Sequence, residues 1–289
     1  MSRACYRVKR PKKLGSFAVF SSPHSGRDYP EDFVAKSVLD PFVLRSSEDA
    51  YVDELFADVS KSGAPFVSAI YPRAWVDLNR AEDELDPALI EGVPRGVPNP
   101  RVASGLGVIP RVVAGGRCIY SGKITRAEAR SRIEVFWRPY HAIVETLLGE
   151  AQAAFGSALL VDCHSMPHEA LQSAPARMGR TSSPPEIVVG DRYGVSAAVE
   201  LVAETQEAFR AEGFRVARNM PFAGAYNTER YGVPKDGRHA IQIEVDRSLY
   251  MDEASLRKRD DFDDVKAALT RAGARIAALG GDEVPLAAE

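Results

Sequence analysis

Cysteine is scarce in this chain, and the three present, Cys5, Cys118 and Cys163, form no Cys-x-x-Cys pair. That excludes a disulfide framework and fits a reducing, cytoplasmic setting. Long apolar runs are missing as well: nothing approaches the roughly eighteen residues of a membrane span. The stretch Leu14 to Phe20, behind a basic start, is too short and too interrupted for a signal-peptide core, so a soluble protein is expected. Charge of one sign is also lacking, because 37 basic residues stand against 40 acidic ones for a net charge of -3. No overall basic field argues for nucleic acid, and any anion site must be local. There is no Gly-x-Ser-x-Gly elbow, no Gly-x-x-x-x-Gly-Lys phosphate loop and no dinucleotide fingerprint, which removes the commonest serine-hydrolase and nucleotide-binding readings. No repeat and no linker interrupts the chain, so residues 1–289 are expected to form a single domain.

What is present is ample apolar material, 45% of 289 residues, enough for a large core. Short apolar runs at Phe17–Phe20, Phe66–Tyr71, Ala158–Val161, Ile187–Gly190, Phe214–Ala217 and Ala240–Val245 read as strands. Longer amphipathic stretches read as helices. Thr125-Arg-Ala-Glu128 is a capping box opening a helix to about Phe155, kinked near Pro139; Ser196–Glu212 and Leu256–Leu279 follow. A further helix is expected to open at Arg45–Tyr51, and Trp75–Arg80 to be extended. Strands alternating with helices predict an α/β fold, a three-layer α/β/α sandwich on a mostly parallel mixed sheet. Residues 1–13 read as a basic, solvated arm. Residues 82–110, with five prolines and no clean period, read as a long irregular loop that shapes the substrate site.

Polar residues gather where these strands end. Asp162 and His164 are two apart on one strand and so share a face, with Cys163 on the other. A carboxylate beside an imidazole fixes its tautomer, as a metal-ligand or general-base histidine requires; a satisfied core histidine is the competing reading. His24 lies just past the first strand, and the acidic pair Glu48 and Asp49 at a helix start, where dipole complementation is the simpler explanation. Two histidines and one carboxylate make the ligand set of a catalytic zinc whose fourth position takes water. Glu244 interrupts an otherwise apolar strand, where an unpartnered carboxylate is costly; it suits a general base, or else an ion pair with Arg247 or Arg230. Arg73, Asn79 and Arg80 combine guanidinium and amide donors of the kind that recognise a carboxylate.

Six stretches in order, Pro23-His-Ser-Gly26, Glu48 to Leu55, Asp77-Leu-Asn-Arg80, Val161 to Pro167, Asn219 to Tyr226 and Gln242 to Met251, resemble the motifs of the N-formylglutamate amidohydrolase family, a relative of zinc carboxypeptidases and aspartoacylases. The resemblance implies a phosphorylase/hydrolase-like fold and one Zn2+ per chain, held by His24, His164 and an acid from the pair. Asp49 is preferred as that acid, with Glu48 its close rival. It further implies Glu244 as general base, Arg73 as the group that polarises the scissile carbonyl, Asn79, Arg80 and Tyr226 as substrate-binding residues, and Asp162 as support behind the metal. Two departures stand out: Arg27 sits three residues after His24 where carboxypeptidases carry glutamate, and the loop before Tyr226 reads Phe222-Ala-Gly-Ala.

The activity implied is metal-dependent hydrolysis of N-formyl-L-glutamate, or a similar small anionic N-acyl amino acid, to the amino acid and formate, a step in histidine breakdown. Two other readings stay open: a different N-acylamino acid deacylase or small carboxypeptidase, and a non-catalytic carboxylate-binding protein on the same fold.

Overall fold

The computed structural model describes residues 4–96, 99–172 and 183–280. Its sheet has seven strands: β1 (Tyr6–Lys9), β2 (Ala18–Ser22), β3 (Phe66–Ala69), β4 (Ala158–Met166), β5 (Ile187–Gly190), β6 (Val216–Arg218) and β7 (Arg238–Asp246). They lie in the order β1-β3-β2-β4-β7-β5-β6. β2 and β4, β4 and β7, and β5 and β6 run parallel, whereas β5 runs against β7. The result is the expected α/β class, a mostly parallel mixed sheet flanked by helices. β1 replaces part of the solvated arm: Tyr6–Lys9 alternates half-buried and exposed side chains as an edge strand does.

By its internal contacts the chain divides into two compact units, one of Met1–Arg7, Pro23–Ala50 and Ser68–Val144, the other of Val8–Ser22, Tyr51–Val67 and Glu145–Glu289. The second holds β2 and β4 to β7 entire. Phe20 of β2, Val161 of β4 and Ile241 of β7 are matched in register and therefore share one face. The helix Phe262–Ala277 closes on that face, buried through Phe262, Leu269, Ala272, Gly273 and Ile276 at helical spacing. Leu269 and Ile276 are fully buried, each contributing about 1.5–3 kcal/mol. Gly273 permits the approach, because a Cβ there would stand 2.7 Å from Val59. The helix Val199–Arg210 packs beside it. The opposite parity, Ser21, Asp162 and Gln242, turns polar groups to the other face.

The first unit is built largely from turns. A long helical stretch begins in it with Arg126–Arg132, capped by the Thr125 side chain accepting from the Glu128 N–H at 3.1 Å, as the capping box predicts. A π-turn, Ile133–Trp137, follows before the helix resumes at Arg138–Phe155, and the Arg138 N–H reaches back to the Ile133 carbonyl. This widened turn takes the place of the kink expected at Pro139, whose ring and missing N–H disturb regular α-helix in the preceding turn.

Two expectations are corrected here. Trp75–Arg80 is not extended but a succession of turns, because the Asp77 carboxylate captures the Asn79 N–H at 2.8 Å and bends the chain locally. No long helix opens at Arg45. Arg45–Ser47 is a single 3-10 turn, Val52–Leu55 one turn of α-helix and Ala57–Ser62 another 3-10 segment. Between them Tyr51 adopts a left-handed conformation (φ 66°), which a continuous helix does not tolerate. In 82–110, whose Val97 and Pro98 lie outside the described residues, the regular element is Pro100–Ala103, capped by Asn99.

Candidate active site

Two neighbouring parallel strands carry the first half of the site. β4 extends through Asp162 and His164 to Met166, and His164 stands directly opposite Glu244 of β7. Asp162 accepts from Ser21 Oγ, from Asn227 Nδ2 at 3.1 and 3.2 Å, and from His164 Nε2 at 2.8 Å. All four residues are buried. A carboxylate accepting at Nε2 places the proton there and leaves Nδ1 as the ring nitrogen with the lone pair. Cys163 faces the other way, and burial, followed by the Asp162 charge, pushes its thiol well up, so it is a neutral core side chain. Glu244 is 8% exposed and accepts from Gln242 Nε2 at 2.8 Å. The Asn219–Tyr226 loop runs close by Gly190, where a Cβ would meet the Ala223 carbonyl carbon at 2.8 Å.

The other half grows from the turn after β2. In Pro23-His-Ser-Gly26 the last residue must be glycine, since a Cβ would fall 2.1 Å from the Tyr71 carbonyl oxygen. His24 follows the pattern of His164: its Nε2 meets Asp77 Oδ1 at 2.7 Å while Nδ1 faces Asp49 Oδ2 at 3.5 Å. The Asp49 N–H donates to the His24 carbonyl at 3.0 Å, so backbone and side chain bring the pair together. Asp77 also takes Arg73 Nη2 at 2.9 Å. Burial alone would raise its pKa, but its interactions with His24, Arg73 and Arg80 outweigh that and hold it well below the usual carboxylate range.

Among the sequence candidates, Arg73 lies beside this pair, with Nη1 4.0 Å from Asp49 Oδ1. Arg80 is buried, its Nε and Nη1 donating to the Leu106 and Asn79 carbonyls. Glu48 is engaged elsewhere, by Arg45 at 3.0 and 3.1 Å and by Tyr29 Oη at 2.7 Å. Tyr226 opens a short helix, and its hydroxyl accepts from Arg230 at 2.8 Å.

Ligand atoms of His24, Asp49 and His164, all buried, lie within 4.8 Å of one another. Both imidazoles have Nε2 on a carboxylate, and the third donor is a carboxylate oxygen, a set that could hold a metal ion and suits zinc among the common ones.

The family model of N-formylglutamate amidohydrolase matches residues 16–251. The chain belongs to this family. An N-formylglutamate deformylase of Pseudomonas aeruginosa is 29% identical over 258 residues, 88% of this chain and 89% of that protein. The crystal structure of an N-formylglutamate amidohydrolase from Ralstonia eutropha JMP134 matches with a TM-score of 0.87 and 34% identity, over 95% of this chain and 97% of that one. A gene product of Agrobacterium tumefaciens, Atu2144, shares the fold at a TM-score of 0.65 and 18% identity, over 95% and 96% of the two chains. The chain is thus an amidohydrolase, and the matched span contains every candidate site residue named above. No helix among the described residues is long and apolar enough to cross a membrane.

Sequence reasoning named Asp162 behind His164 but passed over Asp77, the carboxylate on His24. Asp77 stands inside Asp77-Leu-Asn-Arg80, a motif read for its asparagine and arginine; a second carboxylate near each histidine was the signal available. Ser21 and Asn227 had no signal, because neither residue type announces a partner so distant along the chain.

Proposed function

We propose that the chain is a zinc-dependent deformylase of N-formyl-L-glutamate or a closely similar N-acyl amino acid, working as one catalytic domain in the cytoplasm. The observation that carries this reading is the buried His24, Asp49 and His164 group, with Glu244 in register beside His164. In it, His24, His164 and Asp49 hold the cation, Asp77 and Asp162 fix the two imidazoles, and Glu48 stays with Arg45 and Tyr29. A divalent cation there supplies Lewis acidity and makes water acidic enough to deprotonate near neutral pH.

The chain's own groups do the rest. Glu244 takes a proton from the attacking water and returns it to the departing amine nitrogen. Arg73, already beside Asp49, is the cation that meets charge developing on the carbonyl oxygen. Arg80 keeps Nη2 for the substrate, since its other nitrogens serve main-chain carbonyls; with Asn79 it takes one substrate carboxylate, and Tyr226 borders the loop over the site. The names of the Pseudomonas and Ralstonia relatives support N-formylglutamate as substrate.

The test is metal analysis of the purified protein together with formate release from N-formyl-L-glutamate and neutral N-formyl amino acids, and acetate release from N-acetyl amino acids. Near-stoichiometric zinc and formate release are expected. Glu244→Gln should retain the metal and lose about 10²-fold or more in kcat; a Glu244→Gln protein as fast as its parent refutes the mechanism.

A further inference from the structure

A third histidine–carboxylate pair lies outside the machinery above. β4 ends at Met166, directly opposite Asp246 of β7, and two residues further His168 turns its Nδ1 onto Asp246 Oδ2 at 2.8 Å. Asp246 is buried and also caps the next turn, its Oδ1 accepting from the Ser248 N–H at 3.0 Å. Ser248 Oγ stands 3.3 Å from the same His168 Nδ1, and the His168 N–H donates to Glu253 Oε1 at 2.9 Å. Backbone and ring are therefore both fixed. The side chain is 36% exposed, and its Nε2 makes no hydrogen bond to a described residue.

This pairing is the reverse of the other two. His24 and His164 give Nε2 to their carboxylates, whereas His168 gives Nδ1 and keeps Nε2 outward. An imidazole held through one nitrogen presents the other outward, and with protons on both it makes a charge-assisted hydrogen bond to an anion.

Position supplies the second argument. Glu244 and Asp246 are two residues apart on one strand and share its face, a step of about 6.6 Å along the strand. The four-bond path of a glutamyl group from its amide nitrogen to its far carboxyl carbon spans about 5 Å when extended. A substrate whose reacting carbonyl lies by Glu244 can thus carry its side-chain carboxylate to the level of His168. The floor there is apolar: Met166, Leu171 and Val188 cluster with Phe222 packed against them, which suits the methylenes between the two polar ends.

We propose that His168, held through Nδ1 by Asp246, presents Nε2 to the side-chain carboxylate of the substrate and so sets a preference for acidic over neutral N-formyl amino acids. The inference rests on the deformylase reading and deepens it, assigning a residue to the substrate's side-chain carboxylate.

The experiment compares kcat/KM for N-formyl-L-glutamate and N-formyl-L-glutamine in the zinc-loaded parent, His168→Asn, His168→Gln and Asp246→Asn. In the His168 variants the glutamate-to-glutamine ratio should fall about 10- to 100-fold, the cost of one charged hydrogen bond, chiefly through KM for the acidic substrate. Asp246→Asn, which keeps an oxygen for Ser248, should move the ratio the same way but less. An unchanged ratio in both His168 variants, or an equal loss on both substrates, overturns the proposal; an Asp246→Asn ratio equal to the parent's overturns the part given to Asp246. Calorimetric binding of L-glutamate against L-glutamine reads the preference without turnover. If the parent releases no formate, the deformylase reading falls, and loss of a glutamate preference in His168→Asn still decides the role of His168.

Discussion

Replacing Asp77 by asparagine separates a structural carboxylate from one that serves a metal. The carboxylate accepts three hydrogen bonds, from His24 Nε2 at 2.7 Å, the Asn79 N–H at 2.8 Å and Arg73 Nη2 at 2.9 Å. Asparagine preserves the volume and one acceptor oxygen. That oxygen can keep Asn79 and His24, but the new amide NH2 then faces the Arg73 guanidinium, donor against donor. Losing one charge-assisted bond costs about 1.5–3 kcal/mol, and a fall in Tm of roughly 3–12 °C follows at about 2–4 °C per kcal/mol for a chain of this size. The sharper effect is expected on the metal. Without a negative charge behind it the His24 ring is a weaker donor, and outer partners of this kind are worth about 10–100-fold in metal affinity. Zinc competition against a chromophoric chelator reads that loss directly, and Arg73→Met serves as the control that perturbs Asp77 without touching His24. If Asp77→Asn binds zinc as tightly as its parent while Tm falls, Asp77 only braces the turn and the assignment of His24 as a ligand loses its support.

Gly26→Ala forces a Cβ to 2.1 Å from the Tyr71 carbonyl oxygen; a destabilisation of about 1–3 kcal/mol with loss of bound zinc is expected, and normal zinc content in a folded variant would count against the turn as the support of His24. Arg132 is 1% exposed, stacks 3.5 Å above the Trp75 ring and donates to the Trp75 carbonyl and Tyr120 Oη. Arg132→Met should cost about 2–4 kcal/mol in urea unfolding from the lost cation–π contact and hydrogen bonds and lower kcat/KM; an unchanged midpoint contradicts this. Asp191 gives a pH signature. Burial raises its pKa, but hydrogen bonds from Arg218 and Asn219 override it and leave the folded value depressed. Its stabilisation is therefore present above the unfolded carboxylate pKa of about 3.9 and is lost as pH falls through the folded value. The Tm gap between the parent and Asp191→Asn should be widest above about pH 5 and close in acid; a gap independent of pH refutes the linkage.

The parts of the site carried on strands were legible in the chain. Period-two alternation sufficed to pair Asp162 with His164, to turn Cys163 away and to mark Glu244 as out of place. The parts carried on turns were not. Whether Glu48 or Asp49 faces His24 depends on one 3-10 turn, on the left-handed Tyr51 and on Arg45 capturing its neighbour, none of which has a sequence period. Trp75–Arg80 was misread because apolar residues alternate there as in a strand, while the side-chain capture by Asp77 that bends it is a local competition between hydrogen bonds. The Asp246 partner of His168 was equally hidden, since Asp246 stood only as one residue inside the Gln242 to Met251 motif.

The π-turn at Ile133–Trp137 bears on how this helix tolerates insertion and deletion. Arg132 and Trp137 hold opposite ends of one loop, through the Trp75 carbonyl and ring and through the Arg80 carbonyl at 2.9 Å. Five positions apart on a regular α-helix they would point about 140° away from each other; the wider coil, bonded from each residue to the fifth beyond, stacks them on one side. Excising a single residue between Arg132 and Trp137 would restore ordinary winding and leave the two anchors four positions apart, about 40° from each other and still on one face. A family member lacking that residue can therefore hold the Asp77 loop with the same two side chains, whereas a substitution that straightens the coil at unchanged length cannot.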